Sequence, residues 1–198
     1  MTTTEIRPAE SRLARRITDW LEPKNWIIAV TLLIGWHVAH WTGVAWGIVG
    51  ALFAAMIPIM FIKCGVRRGY WGDRHVGAKP ARLLVMAVIL LSVTTGIILM
   101  IIARAPRTMI ALIVSMLVTL AILAVITFAW KISVHQAVSA GACAMLVETY
   151  GAWMACGFLL VGMVGWSRVK LRDHTRNQVI AGTILGAVVA AGVFQVAR

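Results

Sequence analysis

The chain has 198 residues, of which 61% are hydrophobic and only 13% charged, with a formal net charge of +12. Soluble domains run to about 45–50% apolar and about 25% charged residues, so this composition excludes a water-soluble globule and points to a polytopic membrane protein. It also excludes a soluble catalytic domain, because the polar remainder amounts to short connections and one N-terminal segment. Any chemistry must therefore sit in the loops or at helix ends.

Residues 1–24 form the first unit. Arg7, Arg12, Arg15, Arg16 and Lys24 accompany Leu13, Ile17, Trp20 and Leu21 at helical spacing, a pattern that predicts an amphipathic helix on the membrane surface. The first apolar run begins only after it and leads into further spans, which argues against a cleaved signal peptide. Residues 25–198 are read as a single membrane-embedded domain. No Lys, Arg, Asp or Glu occurs from Asn25 to Ile62, a stretch too long for one crossing of a core about 30 Å thick. Two helices are expected there, over 25–41 and 44–62, with a turn at Thr42-Gly43. A basic loop rich in Arg, Gly and aromatic residues follows, from Lys63 to Arg82.

A third helix is expected over 83–103, a short turn at Arg104-Ala105-Pro106-Arg107, and a fourth helix over 108–130. The stretch Ser133–Trp166 holds one charge, Glu148, and is split into two shorter helices at Tyr150-Gly151. A polar segment, Ser167–Gln178, precedes a last helix over 177–197. The fold class is thus an all-α polytopic membrane bundle of seven spans, or six if the first pair is one bent element. Gly43 with Gly47, and Gly182 with Gly186, are spaced for close helix packing. Cys64, Cys143 and Cys156 are odd in number and read as packed thiols rather than a disulfide framework.

Three polar clusters remain: the loop 63–82, the junction Lys131-Ile132-Ser133-Val134-His135, and the segment Ser167–Gln178. Two spans separate each from the next, so if those helices all cross, the clusters meet on one membrane face. They bring together eleven Lys and Arg residues with His75, His135 and His174. So much positive charge beside imidazoles suggests an anion site, most naturally for a lipid phosphate or diphosphate. Ser133 with Gln136, and Thr175 with Gln178, fit the capping-box spacing. Both clusters then lead into helix N-termini, whose free N–H groups favour a phosphate.

These residues resemble the type 2 phosphatidic acid phosphatase (PAP2) superfamily of membrane phosphatases. The third family motif is Ser-Arg, five residues, His, three residues, Asp, and Ser167-Arg168 with His174 and Gln178 matches all but the last position. Ile132-Ser133-Val134-His135 keeps the Ser and His of the second motif, Pro-Ser-Gly-His. For the first motif, Lys, six residues, Arg-Pro, His75 with Arg82-Leu83 keeps the Arg; Lys79-Pro80 is a competing placement. The resemblance covers roughly residues 75–190.

The resemblance implies a metal-independent phosphatase, without cofactor, acting on an isoprenoid or other long-chain lipid phosphate through a phosphohistidine. His174 would attack phosphorus and His135 would protonate the leaving oxygen and later activate water, while Arg82 and Arg168, with His75 and Ser133, would hold the phosphoryl oxygens. Gln178 stands where the family has an Asp, offering the nucleophile a carbonyl but no charge. The alternative is therefore a weak or inactive lipid-phosphate binding or scaffold protein of the same fold. The partners implied are a membrane lipid or prenyl phosphate and the bilayer itself, with no nucleic acid.

Other polar residues carry ordinary expectations. His37 and His40 read as interfacial residues, Glu148 as reaching water beside the Tyr150-Gly151 turn, and Trp26, Trp41, Trp130 and Trp166 as an aromatic belt. In the seven-span arrangement sixteen of the nineteen Lys and Arg fall on the side of the three clusters. The positive-inside rule then expects the site to face the cytoplasm. The N-terminal charges are counted there as independent of the site.

Overall fold

The computed structural model describes residues 9–70 and 79–198, and every element among them is helical. The order is α1 (Ala9–Trp20), α2 (Pro23–Ala51), a π-helical turn (Leu52–Met56), α3 (Ile57–Arg67), α4 (Lys79–Ile102), α5 (Arg107–Ala129), α6 (Val134–Tyr150), a 3-10 turn (Ala152–Gly157), α7 (Phe158–Lys170) and α8 (Arg176–Ala197). Five of the helical stretches are long and apolar enough to cross a membrane. The first, Arg12–Arg67, has 56 residues, and at a rise of about 1.5 Å per residue it would far overshoot a bilayer if straight.

It is not straight. Ala39 (φ −152°, ψ 30°) and His40 (φ 46°, ψ −126°) leave the helical region inside α2. Beyond them the chain runs back: Gly43 meets the backbone of Gly35, and Gly47 that of Thr31, so closely that a Cβ on any of these glycines would overlap a carbonyl. The uncharged stretch is thus a helical hairpin. Its turn lies before the expected Thr42-Gly43, because Gly43 is needed in the seam where the arms touch rather than in the bend. The positive φ of His40 is costly for a residue with a Cβ. Thr42 Oγ1 steadies the turn by donating to the Ala39 carbonyl at 2.7 Å, and the Trp36 ring lies edge-on to His40.

The returning arm loosens into the π-turn just before Pro58, whose ring nitrogen has no hydrogen to donate. The Phe53 carbonyl there accepts instead from Ser92 Oγ of α4, at 2.7 Å. Other hydroxyls are satisfied within their own helices: on α5, Ser115, Thr119 and Thr127 each donate to the carbonyl four residues back at 2.7 Å.

At the centre stands α6, whose run of Ala, Ser, Gly and Cys from Ser139 to Ala144 admits close neighbours. Gly186 of α8 packs on the Ala137 backbone and Gly182 on the Ser133 carbonyl. Gln136 does not complete the expected capping box. Its Nε2 donates to the Val161 carbonyl (3.1 Å) and Thr183 Oγ1 (2.9 Å), tying α6 to α7 and α8. Helix α1 lies on α7 through Ala14 and Thr18, with Thr18 Oγ1 3.0 Å from Ser167 Oγ, and turns Leu13, Trp20, Arg12, Arg15 and Arg16 outward. Trp26 departs from the aromatic-belt reading, being buried in the core, whereas Trp41, Trp130 and Trp166 are exposed. The three cysteines are free, and only Cys143 is buried.

The α6–α8 seam gives a direct test. A side chain at Gly186 would lie about 2.0 Å from the Ala137 carbonyl oxygen, whereas one at Gly192 meets nothing within 4 Å. Gly186→Val is expected to destabilise the protein by about 1–3 kcal/mol or more and Gly192→Val to be neutral. Thermal unfolding in detergent reads both, and equal midpoints would contradict the seam.

Candidate functional site

At one end of the bundle, α4, α6 and the α7–α8 connection bring their polar ends around a cavity of about 340 Å³. Arg82 reaches it from the first turn of α4, Lys131 and His135 from the entry to α6, Arg168 from the last turn of α7, and Asp173 and His174 from the connection that follows. Members of the three polar clusters therefore meet. His75, and the side chain of Lys79, lie outside the described residues.

The connection is shaped by one carbonyl. Arg172 takes a positive φ (57°), and the chain curls so that both Asp173 N and His174 N donate to the Arg168 carbonyl, at 3.1 and 3.3 Å. This brings His174 back beside Arg168. Lys131 Nζ donates to the Asp173 carbonyl at 2.6 Å, and Ser133 N to the Gln178 carbonyl at 3.4 Å, joining the entries of α6 and α8.

Gln178 settles the state of the His174 ring. Its Oε1 accepts the Thr175 backbone N–H at 3.1 Å, while its own N–H donates to Thr175 Oγ1 at 3.4 Å, a complete capping box. Only the amide oxygen can accept from a backbone N–H, so its orientation is fixed. His174 Nδ1, 3.2 Å from the same oxygen, must then donate. In the neutral ring Nε2 is left with the lone pair. Burial first, and then the charges of Arg168 and Lys131, push His174 down to about 4 from its ordinary 6.5. The Gln178 hydrogen bond and Asp173 pull the other way without prevailing. The ring is therefore neutral at neutral pH, with its lone pair on Nε2.

Arg168 is 4% exposed. Its Nη1 sits 3.2 Å from Asp173 Oδ2, an ion pair without hydrogen-bond alignment, and its Nε and Nη1 find no acceptor among the described residues. The buried Nε of Arg82 is in the same condition. Unanswered donors on a buried cation are expensive, and the buried Arg168 beside the half-buried Arg82 at one cavity calls for an anion.

Ser133 does not line this cavity. It is fully buried and caps α6, its Oγ accepting from Gln136 N at 3.4 Å. Gln178 likewise acts from behind His174. Conversely, Glu22 and Lys24 line the cavity as an ion pair, Glu22 being buried. The count of N-terminal charges as independent of the site is thus corrected for Lys24. No spacing signals Glu22; the only cue is an acidic residue just before the first uncharged run. At the opposite end, His37 packs edge-on against Tyr150, and Glu148 is paired with Arg198 (3.9 Å). No family model, curated protein or solved structure compared with this chain matches it.

The His174 environment sets a pH dependence. The unfolded chain takes up this proton near 6.5 and the folded chain only near 4, so between those values the unfolded state holds more protons. Stability is expected to rise as pH increases from about 4 to 6.5 and to level off above. The contribution is on the order of 2 kcal/mol, discounted for partial exposure of the ring. Comparing unfolding of the native chain and His174→Gln across this range checks it; a slope unchanged by the substitution would count against it.

Proposed function

We propose that the protein is a membrane phosphatase of PAP2 type that hydrolyses a phosphate or diphosphate ester of an isoprenoid or other long-chain lipid. The observation that carries this reading is a pair of guanidinium groups, the buried Arg168 and the half-buried Arg82, with buried donors left unanswered among the described residues, around a cavity that also holds a neutral His174. In this scheme the phosphoryl oxygens take up those donors and Lys131 adds charge. His174 Nε2 forms a bond to phosphorus as the bond to the lipid oxygen breaks, and His135 supplies the proton to the leaving alcohol or phosphate. His135 then takes a proton from water, whose oxygen attacks the phosphohistidine and frees inorganic phosphate and the imidazole. Gln178 holds Nδ1–H throughout.

The second reading is a lipid-phosphate binding protein with little or no turnover. What favours it is that among the described residues no carboxylate accepts from the His174 ring: Gln178 is neutral, and Asp173 is engaged by Arg168. Phosphate release decides between the two. His174→Ala is expected to abolish release from a lipid phosphate and to lose the ³²P trapped on the native protein. Gln178→Glu keeps both of the acceptor contacts and adds charge, so the acid limb of the rate profile should move up by about one pH unit and turnover should rise. Hydrolysis unchanged in His174→Ala would refute the phosphohistidine.

With the hairpin counted as two crossings and α6 as another, the chain crosses seven times and the site faces the cytoplasm, the side carrying most of the Lys and Arg. Cysteines placed singly at positions 70 and 172 in a background lacking the native three should react with an impermeant thiol reagent only after cells are permeabilised. Labelling of both in intact cells would place the site outside.

A further inference from the structure

Below its charged head the cavity continues as an apolar shaft, and this shaft ends part-way along the bundle. On α4 its wall runs from Arg82 to Val93, whereas Ile97 and Met100 beyond belong to solid core. On α5 the wall stops at Met116, and Met109, Leu112 and Ile113 are fully packed. On α6 it runs from His135 to Met145, next to the core residue Leu146. At about 1.5 Å per helical residue, the α4 and α6 walls give depths of roughly 16 and 15 Å below the backbone level of Arg82 and His135, whose side chains tilt toward the helix N-termini and so toward the head. An extended hydrocarbon advances roughly 1.25 Å per carbon, given bonds of about 1.5 Å, so the shaft takes about twelve carbons in line.

We propose that the shaft measures the tail of the ligand and selects a single chain of about twelve carbons in line, such as three prenyl units, attached to the phosphate held at the head. This rests on the lipid-phosphate reading of the same cavity and names its substrate class. The volume of about 340 Å³ lies at the small end of ligand pockets, a size that suits one chain rather than two. A tail leaving the bilayer exchanges one apolar medium for another, so it gains no hydrophobic transfer energy on entry. Length is read through packing instead. A short chain leaves the shaft partly unfilled and forfeits contacts, whereas a long one must displace Met116 and Met145 or double back. Preference therefore peaks at one length rather than growing with it.

The test uses the full chain in nanodiscs and prenyl phosphonates, whose carbon–phosphorus bond resists hydrolysis, so that binding is read apart from turnover. Phosphonates of two, three, four and eleven prenyl units and a dialkyl phosphate compete at equal mole fraction against a labelled three-unit phosphonate. The three-unit chain should compete best, the others about tenfold or more weaker. Met145→Ala or Met116→Ala should move the maximum to four units, and Ala142→Phe, on the shaft wall, to two. If a floor variant fails to fold, the ladder on the native protein stands alone as the test. Competition equal within about threefold from three to eleven units, or a maximum that well-folded floor variants leave in place, would overturn the proposal. A clear maximum without phosphate release from the matching monoester would retain it and refute the phosphatase, whereas release with a flat ladder would do the reverse.

Discussion

A guanidinium buried at the end of an apolar helix is the constraint around which this molecule is arranged. Arg168 has a carboxylate at ion-pair distance, yet two of its nitrogens have no acceptor among the described residues. Burying such a group costs several kcal/mol unless something answers it. Its carbonyl turns the following chain back and brings His174 alongside, and Ser167, next to it, is held by Thr18 of the N-terminal helix. The same charge also lowers the proton affinity of the imidazole it approaches. One residue thus shapes the backbone of the site, its electrostatics and its demand for an anion.

The supports of the site are shared rather than dedicated. Gln178 is a helix cap and an imidazole partner through one oxygen atom. The cap needs the amide oxygen toward the Thr175 N–H, and that need fixes the tautomer. Asp173 has no such double duty toward the histidine, because its carboxylate lies against Arg168 and its carbonyl is taken by Lys131. Ordinary helix-end hydrogen bonding therefore sets the ring up, with no charge spent on it.

Much of the helical pattern was legible in the sequence because charge marks the ends of apolar runs: expected helices over 83–103 and 108–130 run Lys79–Ile102 and Arg107–Ala129. The turn at Ala39-His40 was not legible, since neither residue is a turn former and the conspicuous Gly43 serves packing. At the site, the spacing of Arg168, His174 and Gln178 was visible because all three lie in one short stretch, from the end of α7 across the connection into the start of α8. Glu22 was hidden, because its place depends on how α1 and the start of α2 dock. Ser133 shows the opposite failing: its position at a helix start was readable, but not that its hydroxyl would be sealed inside.

The hairpin in α2 has a consequence for how the chain enters a bilayer. Both flanks are basic, Arg12, Arg15, Arg16 and Lys24 before it and Lys63, Arg67 and Arg68 after it, and the bend between them carries no charge. With the hairpin taken as two crossings, as proposed above, only an uncharged bend has to be carried through the hydrocarbon, with its arms already shielding each other's backbone along the glycine seam. The two arms are therefore suited to enter together as one wedge, their anchors staying on the side from which they started.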